Sequence, residues 1–182
     1  QVNQIVSNIN FYDSDSDSIY SLKTNHSIIT TDQEIIDKQF HDEQCQENQD
    51  ISGGRYYIQS PAISVNFTRC TFTNCFTANV TLSKTVEGGV LYFSNISSTY
   101  ITNCTFEHCS SPKGGAVSIH QVGLAVFQKT NFSYNRAYYY FLFIDNTGEA
   151  AGAVLIDEGK DCQAIFTDCI FDSNFANSGA GI

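Results

Sequence analysis

A chain of 182 residues with a net charge of −10 and only 9 Lys and Arg lacks the cationic footprint that nucleic-acid binding requires. It is long enough for one sizeable core, and it contains no run of 18 apolar residues that would span a membrane. Met is absent, so a processed or cut start is expected, and 7 Cys point to a secreted protein over a cytosolic one.

In chain order, Val6-Ser7-Asn8-Ile9-Asn10-Phe11 is the first instance of a six-residue pattern: an apolar residue, two polar ones, a small or apolar one, any residue, then Phe. Asp13, Asp15 and Asp17 follow at alternate positions, a spacing that resembles the opening of a calcium loop. Ser18 stands where that loop needs Gly and Thr24 where it needs Glu, so these carboxylates are a weak metal candidate and a solvated rim loop is expected. Ile28-Ile29 and Ile35-Ile36 are expected as strands, Gln39-Phe40 as a faded repeat, and His41–Asp50 as loop. Gly53-Gly54 before Tyr56-Tyr57-Ile58 is a poorly matched glycine bend and strand. Residues 1–62 are therefore taken as degenerate coils and loops, and 63–182 as regular coils of one continuous domain.

From Ile63 the pattern is clear: Phe67-Thr68-Arg69-Cys70-Thr71-Phe72, Ile101-Thr102-Asn103-Cys104-Thr105-Phe106, Phe127-Gln128-Lys129-Thr130-Asn131-Phe132 and Phe166-Thr167-Asp168-Cys169-Ile170-Phe171. Each Phe is followed at the third residue by Cys75, Cys109, Asn135 or Asn174, and two further on by small Thr77, Ser111, Ala137 or Ala176. Small-residue runs then open a strand, as in Gly88-Gly89-Val90-Leu91, Gly114-Gly115-Ala116-Val117 and Ala151-Gly152-Ala153-Val154. Side chains alternate along a strand, so Cys104 and Phe106 share a face, but Ile101 is three residues from Cys104 and breaks that parity. A sharp polar corner between two short strands restores it, and the glycine pairs mark a second bend. Strand, corner, strand, bend and strand make one coil. Phe72, Phe106, Phe132 and Phe171 recur 34, 26 and 39 residues apart, as expected of stacked coils with loops inserted at the rim. The expected fold is all-β, a right-handed parallel β-helix (β-solenoid) with inserted rim loops.

The segments Val80–Glu87 and Ala137–Glu149 are insertions in this frame. Within the second, Ala137–Ile144 is strongly apolar, as suits an inserted core strand or a surface awaiting a partner. Ser178–Ile182 opens another strand, so further coils of the same chain, or copies of it, are expected end to end.

The cysteines at the two template positions change together. Cys70 and Cys75 flank one Phe and Cys104 and Cys109 the next, Thr130 and Asn135 replace both, and Cys169 returns beside Cys162. Pairing within coils (Cys70–Cys75, Cys104–Cys109, Cys162–Cys169) and pairing between stacked coils (Cys70–Cys104, Cys75–Cys109) both remain open, with Cys45 odd. Sequons stand at Asn25, Asn66, Asn79, Asn95, Asn103 and Asn131, and alternation turns Asn66, Asn103 and Asn131 outward. N-linked glycans are expected, with no other cofactor and no zinc site, since Cys-X-X-Cys is missing and His26, His41, His108 and His120 are scattered. No acidic pair repeats with a His or Arg beside it, so no catalytic residue is assigned; Glu107 and Asp172 are the carboxylates to test for glycosidic cleavage.

Phe132-Ser133-Tyr134-Asn135, Phe171-Asp172-Ser173-Asn174 and Gly114-Gly115-Ala116-Val117 carry a resemblance to the repeats of the chlamydial polymorphic membrane proteins and related β-helix surface proteins, some from protists. The likeness covers about Ile63 to Ile182 and departs where Cys75 and Cys109 replace Asn. It implies a pectin-lyase-like solenoid serving as a surface adhesin or scaffold. The expected function is a non-enzymatic structural component of an extracellular, glycosylated fibre or surface layer. A cell-surface or carbohydrate-binding adhesin is the second expectation, and a polysaccharide lyase or hydrolase the third.

Overall fold

The computed structural model describes residues 27–41, 52–75, 77, 87–137, 151–157, 162–176 and 179–182. These residues hold no helix, and their strands pair in parallel throughout. The strands fall into successive layers. The first is β1 (Ser27–Ile29), β2 (Gln33–Ile36) and β3 (Gln39–His41), and the second β4 (Tyr56–Gln59), β5 (Ser64–Thr68) and β6 (Thr71–Thr73). The third is β7 (Leu91–Thr102), β8 (Thr105–Glu107) and β9 (Ser110–Ser111). The fourth is β10 (Val117–Gln128), β11 (Asn131–Ser133) and β12 (Arg136–Ala137), and the fifth β13 (Val154–Asp157), β14 (Ala164–Thr167) and β15 (Ile170–Asp172). An 8-stranded sheet runs β1-β4-β7-β10-β13, with β2, β5 and β14 joined beside that path; a 5-stranded sheet runs β15-β11-β8-β6-β3; β12 and β9 make a 2-stranded sheet.

Alternation decides which side chains enter the core. In β5, Val65 and Phe67 are buried while Ser64, Asn66 and Thr68 face outward and are half-buried. Phe40, Phe72, Phe106, Phe132 and Phe171 are register partners in consecutive layers. Their ring centroids lie 4.9, 4.9, 5.0 and 4.9 Å apart in that order. That spacing matches the distance of about 4.8 Å between neighbouring strands, so backbone pairing sets the aromatic stack. A second inward column, Ile35, Phe67, Ile101, Phe127 and Phe166, lies beside it. Gln39-Phe40 thus belongs to the repeat, and Ile28-Ile29, Ile35-Ile36 and Tyr56-Tyr57-Ile58 are strands as expected.

The parity break is a single left-handed residue. Asp37, Arg69, Asn103, Lys129 and Asp168, the third template position, have φ of 54, 53, 52, 50 and 54°. One such residue turns the chain so that Ile101 and Cys104 both point inward. Beyond the Phe strand, Asn74, His108, Tyr134 and Ser173 repeat the device at 55, 53, 54 and 52°. A left-handed non-glycine residue costs roughly 1–2 kcal/mol, and here it keeps its ladder hydrogen bond. Arg69 N donates to Thr102 O, Asn103 N to Gln128 O and Lys129 N to Thr167 O, each at 2.9 Å.

The third bend uses glycine. Gly53, Gly88, Gly114 and Gly179 have positive φ, and so does Ala151 at 64° in the same column. The residue that follows sits against the end of its own layer. A Cβ on Gly89 would lie 2.6 Å from Ser110 O, on Gly115 2.7 Å from Arg136 N, and on Gly152 2.8 Å from Phe175 N. The end of each of these layers therefore comes back against its own opening glycine.

Candidate functional site

Glu87 bridges to Lys113 in the next layer, just ahead of the paired bends at Gly88 and Gly114. Lys113 Nζ lies 3.6 Å from Glu87 Oε1, and His120 Nε2 contacts Glu87 Oε2. The Glu87 and His120 side chains are 13% and 14% exposed. The Tyr92 ring packs 4.9 Å from the His120 imidazole, and Tyr57 stacks on Tyr92 at 5.1 Å. Tyr57 Oη in turn donates to Gln59 Oε1 at 2.7 Å. These side chains form a strip on the outer face of the eight-stranded sheet, because Tyr57, Tyr92 and His120 alternate with the buried Ile58, Phe93 and Ile119. A carboxylate and an imidazole in contact can pass a proton, and the ammonium and aromatic edges beside them can hold a polar ligand. Glu87 is not among the carboxylates that the sequence singles out. Glu87 is brought to His120 and Lys113 by layer stacking, a neighbourhood that template positions alone do not reveal.

The other nominated residues are dispersed. Glu107 and Asp172 are both register partners of Ser133, on opposite sides of it, so two strand spacings, roughly 10 Å, separate their backbones. His108 is exposed at its left-handed corner, stacked on Tyr134 at 5.1 Å, with its Nε2 3.9 Å from Glu107 Oε1. Among the sequons, Asn95 and Asn103 are exposed and left-handed. Asn66 is half-buried, with Oδ1 accepting from Tyr100 N at 3.1 Å. Asn131 is half-buried, and its Oδ1 accepts no hydrogen bond among the described residues. Asp13, Asp15, Asp17, Asn25, Cys45, Asn79, the Val6–Phe11 repeat, the Val80–Glu87 insertion short of Glu87 and the apolar run after Ala137 lie outside the described residues.

No disulfide joins Cys70, Cys75, Cys104, Cys109, Cys162 or Cys169 among the described residues of the structure. The inward columns show what these positions do. Cys70 Sγ meets Ile35 O at 3.4 Å, Cys104 Sγ meets Phe67 O at 3.6 Å, and Cys169 Sγ meets Phe127 O at 3.4 Å. Thr130 Oγ1 meets Ile101 O at 3.1 Å in the same manner. In the second column Cys75 Sγ approaches Phe40 O at 3.9 Å and Cys109 Sγ meets Phe72 O at 3.6 Å. Asn135 Nδ2 donates to Phe106 O and Asn174 Nδ2 to Phe132 O, both at 2.9 Å. Thiol, hydroxyl and amide thus occupy equivalent places, each against the carbonyl at the corner of the preceding layer. No family model matches the chain, and neither curated proteins nor solved structures yield a match to it.

Proposed function

We propose that the chain is a segment of right-handed parallel β-helix, of the kind its Phe-X-X-Asn and Gly-Gly-Ala motifs imply, and that it is a non-enzymatic, extracellular, glycosylated scaffold that stacks end to end. The observation that carries this reading is the unbroken column from Phe40 to Phe171. Every layer offers the next the same ring and the same strand edge, so one copy can continue another. The return of each layer to its own glycine bend supports closed coils. Phe166 and Phe171 are only partly buried, whereas Phe127 and Phe132 in the preceding layer are fully buried, so a further layer has apolar surface to cover. Exposed Asn95 and Asn103 leave room for N-linked glycans on the flank.

Sedimentation velocity and negative-stain imaging over a range of concentrations test the proposal. Rods that lengthen with concentration, and that are lost in Phe171→Asp, are expected. A monomer at every concentration would overturn end-to-end assembly.

The strip at Glu87, Lys113, His120 and Tyr92 favours a second reading, a binding module for a carbohydrate or cell-surface partner. Saturable binding to a polysaccharide array by monomer, abolished in His120→Ala with the circular dichroism unchanged, would select it. Retained binding in that variant would reject the strip as the binding surface.

A further inference from the structure

We infer that Cys70 is joined to Cys104, and Cys75 to Cys109, by disulfides that run between layers. The inference rests on the extracellular reading for its oxidising surroundings, and on geometry for its connectivity. Thr71, Phe72 and Thr73 are the register partners of Thr105, Phe106 and Glu107. The ladder continues at both ends of these strands, where Thr105 N donates to Cys70 O and Ser110 N to Cys75 O, each at 2.9 Å. Cys70 therefore stacks on Cys104, and Cys75 on Cys109. Neighbouring strands lie about 4.8 Å apart, inside the Cα separation of about 4.4–6.8 Å that a disulfide spans. Cys104 Sγ already lies 3.4 Å from Cys70 N. All four thiols are 1% exposed or less, so a bond there has no competitor from solvent once formed.

Pairing within a layer meets the opposite geometry. Cys70 and Cys75 lie at the two ends of β6, whose three extended residues alone span about 10 Å. Cys104 and Cys109 bracket β8 in the same way. Column composition agrees with vertical pairing. One column reads Cys70, Cys104, Thr130, Cys169 and the other Cys75, Cys109, Asn135, Asn174, so adjacent cysteines occur in both columns and in the same two layers. Cys169 has Thr130 as its neighbour and stays a thiol.

The chemistry balances with a glutathione-type disulfide as oxidant. The Cys70 thiolate attacks one sulfur of oxidised glutathione and expels a glutathione thiolate. The Cys104 thiolate then attacks the Cys70 sulfur of the mixed disulfide and expels the second. Two protons and two electrons leave the protein per bond, and one glutathione disulfide becomes two thiols. Either Cys70 or Cys104 can be the first to attack, and the bonds made and broken are the same. Because both are buried in the finished structure, exchange takes place as the layers close.

The reduced, denatured full chain is refolded in glutathione redox buffer, its remaining thiols are alkylated, and the digest is read by mass spectrometry. Linked peptides Cys70–Cys104 and Cys75–Cys109, with Cys162 and Cys169 alkylated, are expected. Cys70→Ser should lose the first link and keep the second at undiminished yield. Links Cys70–Cys75 or Cys104–Cys109, or four alkylated thiols in a chain with native circular dichroism, would overturn the connectivity. Material from the natural source separates the two readings. Links on refolding but thiols there would sink the extracellular assignment and leave the geometry supported.

Discussion

Asn135 Nδ2 donates to the Phe106 carbonyl at 2.9 Å, in the place where the Cys109 thiol meets the Phe72 carbonyl at 3.6 Å one layer earlier. The amide does more than the thiol, because Asn135 Oδ1 also accepts from Cys109 N at 2.9 Å. Asn135 N is held in turn by Asn174 Oδ1 at 3.0 Å. This ladder joins three layers through the interior.

Asn135→Ala is expected to leave the Phe106 carbonyl and the Cys109 amide without side-chain partners at a buried corner. At about 1–3 kcal/mol for each of the two orphaned groups, the loss is about 2–6 kcal/mol in total. Urea denaturation of the variant against the parent checks it, and a change below 1 kcal/mol would count against the ladder.

Aromatic deletions should differ by layer. Phe106 is fully buried between Phe72 and Phe132, so Phe106→Ala is expected to cost about 3–5 kcal/mol. Phe171 is stacked on one side and only partly buried, so Phe171→Ala in the unassembled chain should cost roughly half as much or less. Equal costs would mean that the fifth layer is covered in solution.

Ala151 occupies with φ 64° the column that Gly53, Gly88, Gly114 and Gly179 otherwise fill. Ala151→Gly is therefore expected to stabilise the fold by about 0.5–1 kcal/mol, despite the added freedom of the unfolded chain. Gly114→Ala should do the reverse and more, because its Cβ would overlap the Ser118 hydroxyl as well as adopt a strained φ. Thermal unfolding of the two variants reads both signs.

Asp37 and Arg69 are successive corner residues joined by Arg69 Nε to Asp37 Oδ1 at 2.5 Å and Nη2 to Oδ2 at 2.8 Å. The hydrogen bond from Arg69 holds the Asp37 carboxyl below the ordinary carboxylate range. A lowered folded-state value means that the stabilisation is present above the range in which free aspartate titrates, and fades as pH falls through the folded value. A carbon-detected NMR titration should place the Asp37 midpoint low, and Arg69→Ala should return it to the free value.

Much of this architecture is legible without coordinates. The recurrence of Phe, the parity break and the small residues at the bends follow from local rules about which side a side chain faces and where a Cβ fits. Those rules place Phe72 above Phe106 and demand a corner at Asn103. They do not foresee Arg69 and Lys129 as left-handed residues, which their types disfavour and stacking imposes.

Contacts between layers are another matter. Glu87 meets His120 and Lys113 because it bridges to the next layer from a position outside the repeating template. The cysteines present the same division. The joint change of Cys70 and Cys75 is visible in the chain, but whether its cause lies along a layer or across layers depends on distances. Alternation and turn preference act between residues a few positions apart, and so the sequence determined the repeating unit of strand, corner and strand. Which units touch, and with which side chains, depends on stacking across tens of residues, and only the tertiary structure decided it.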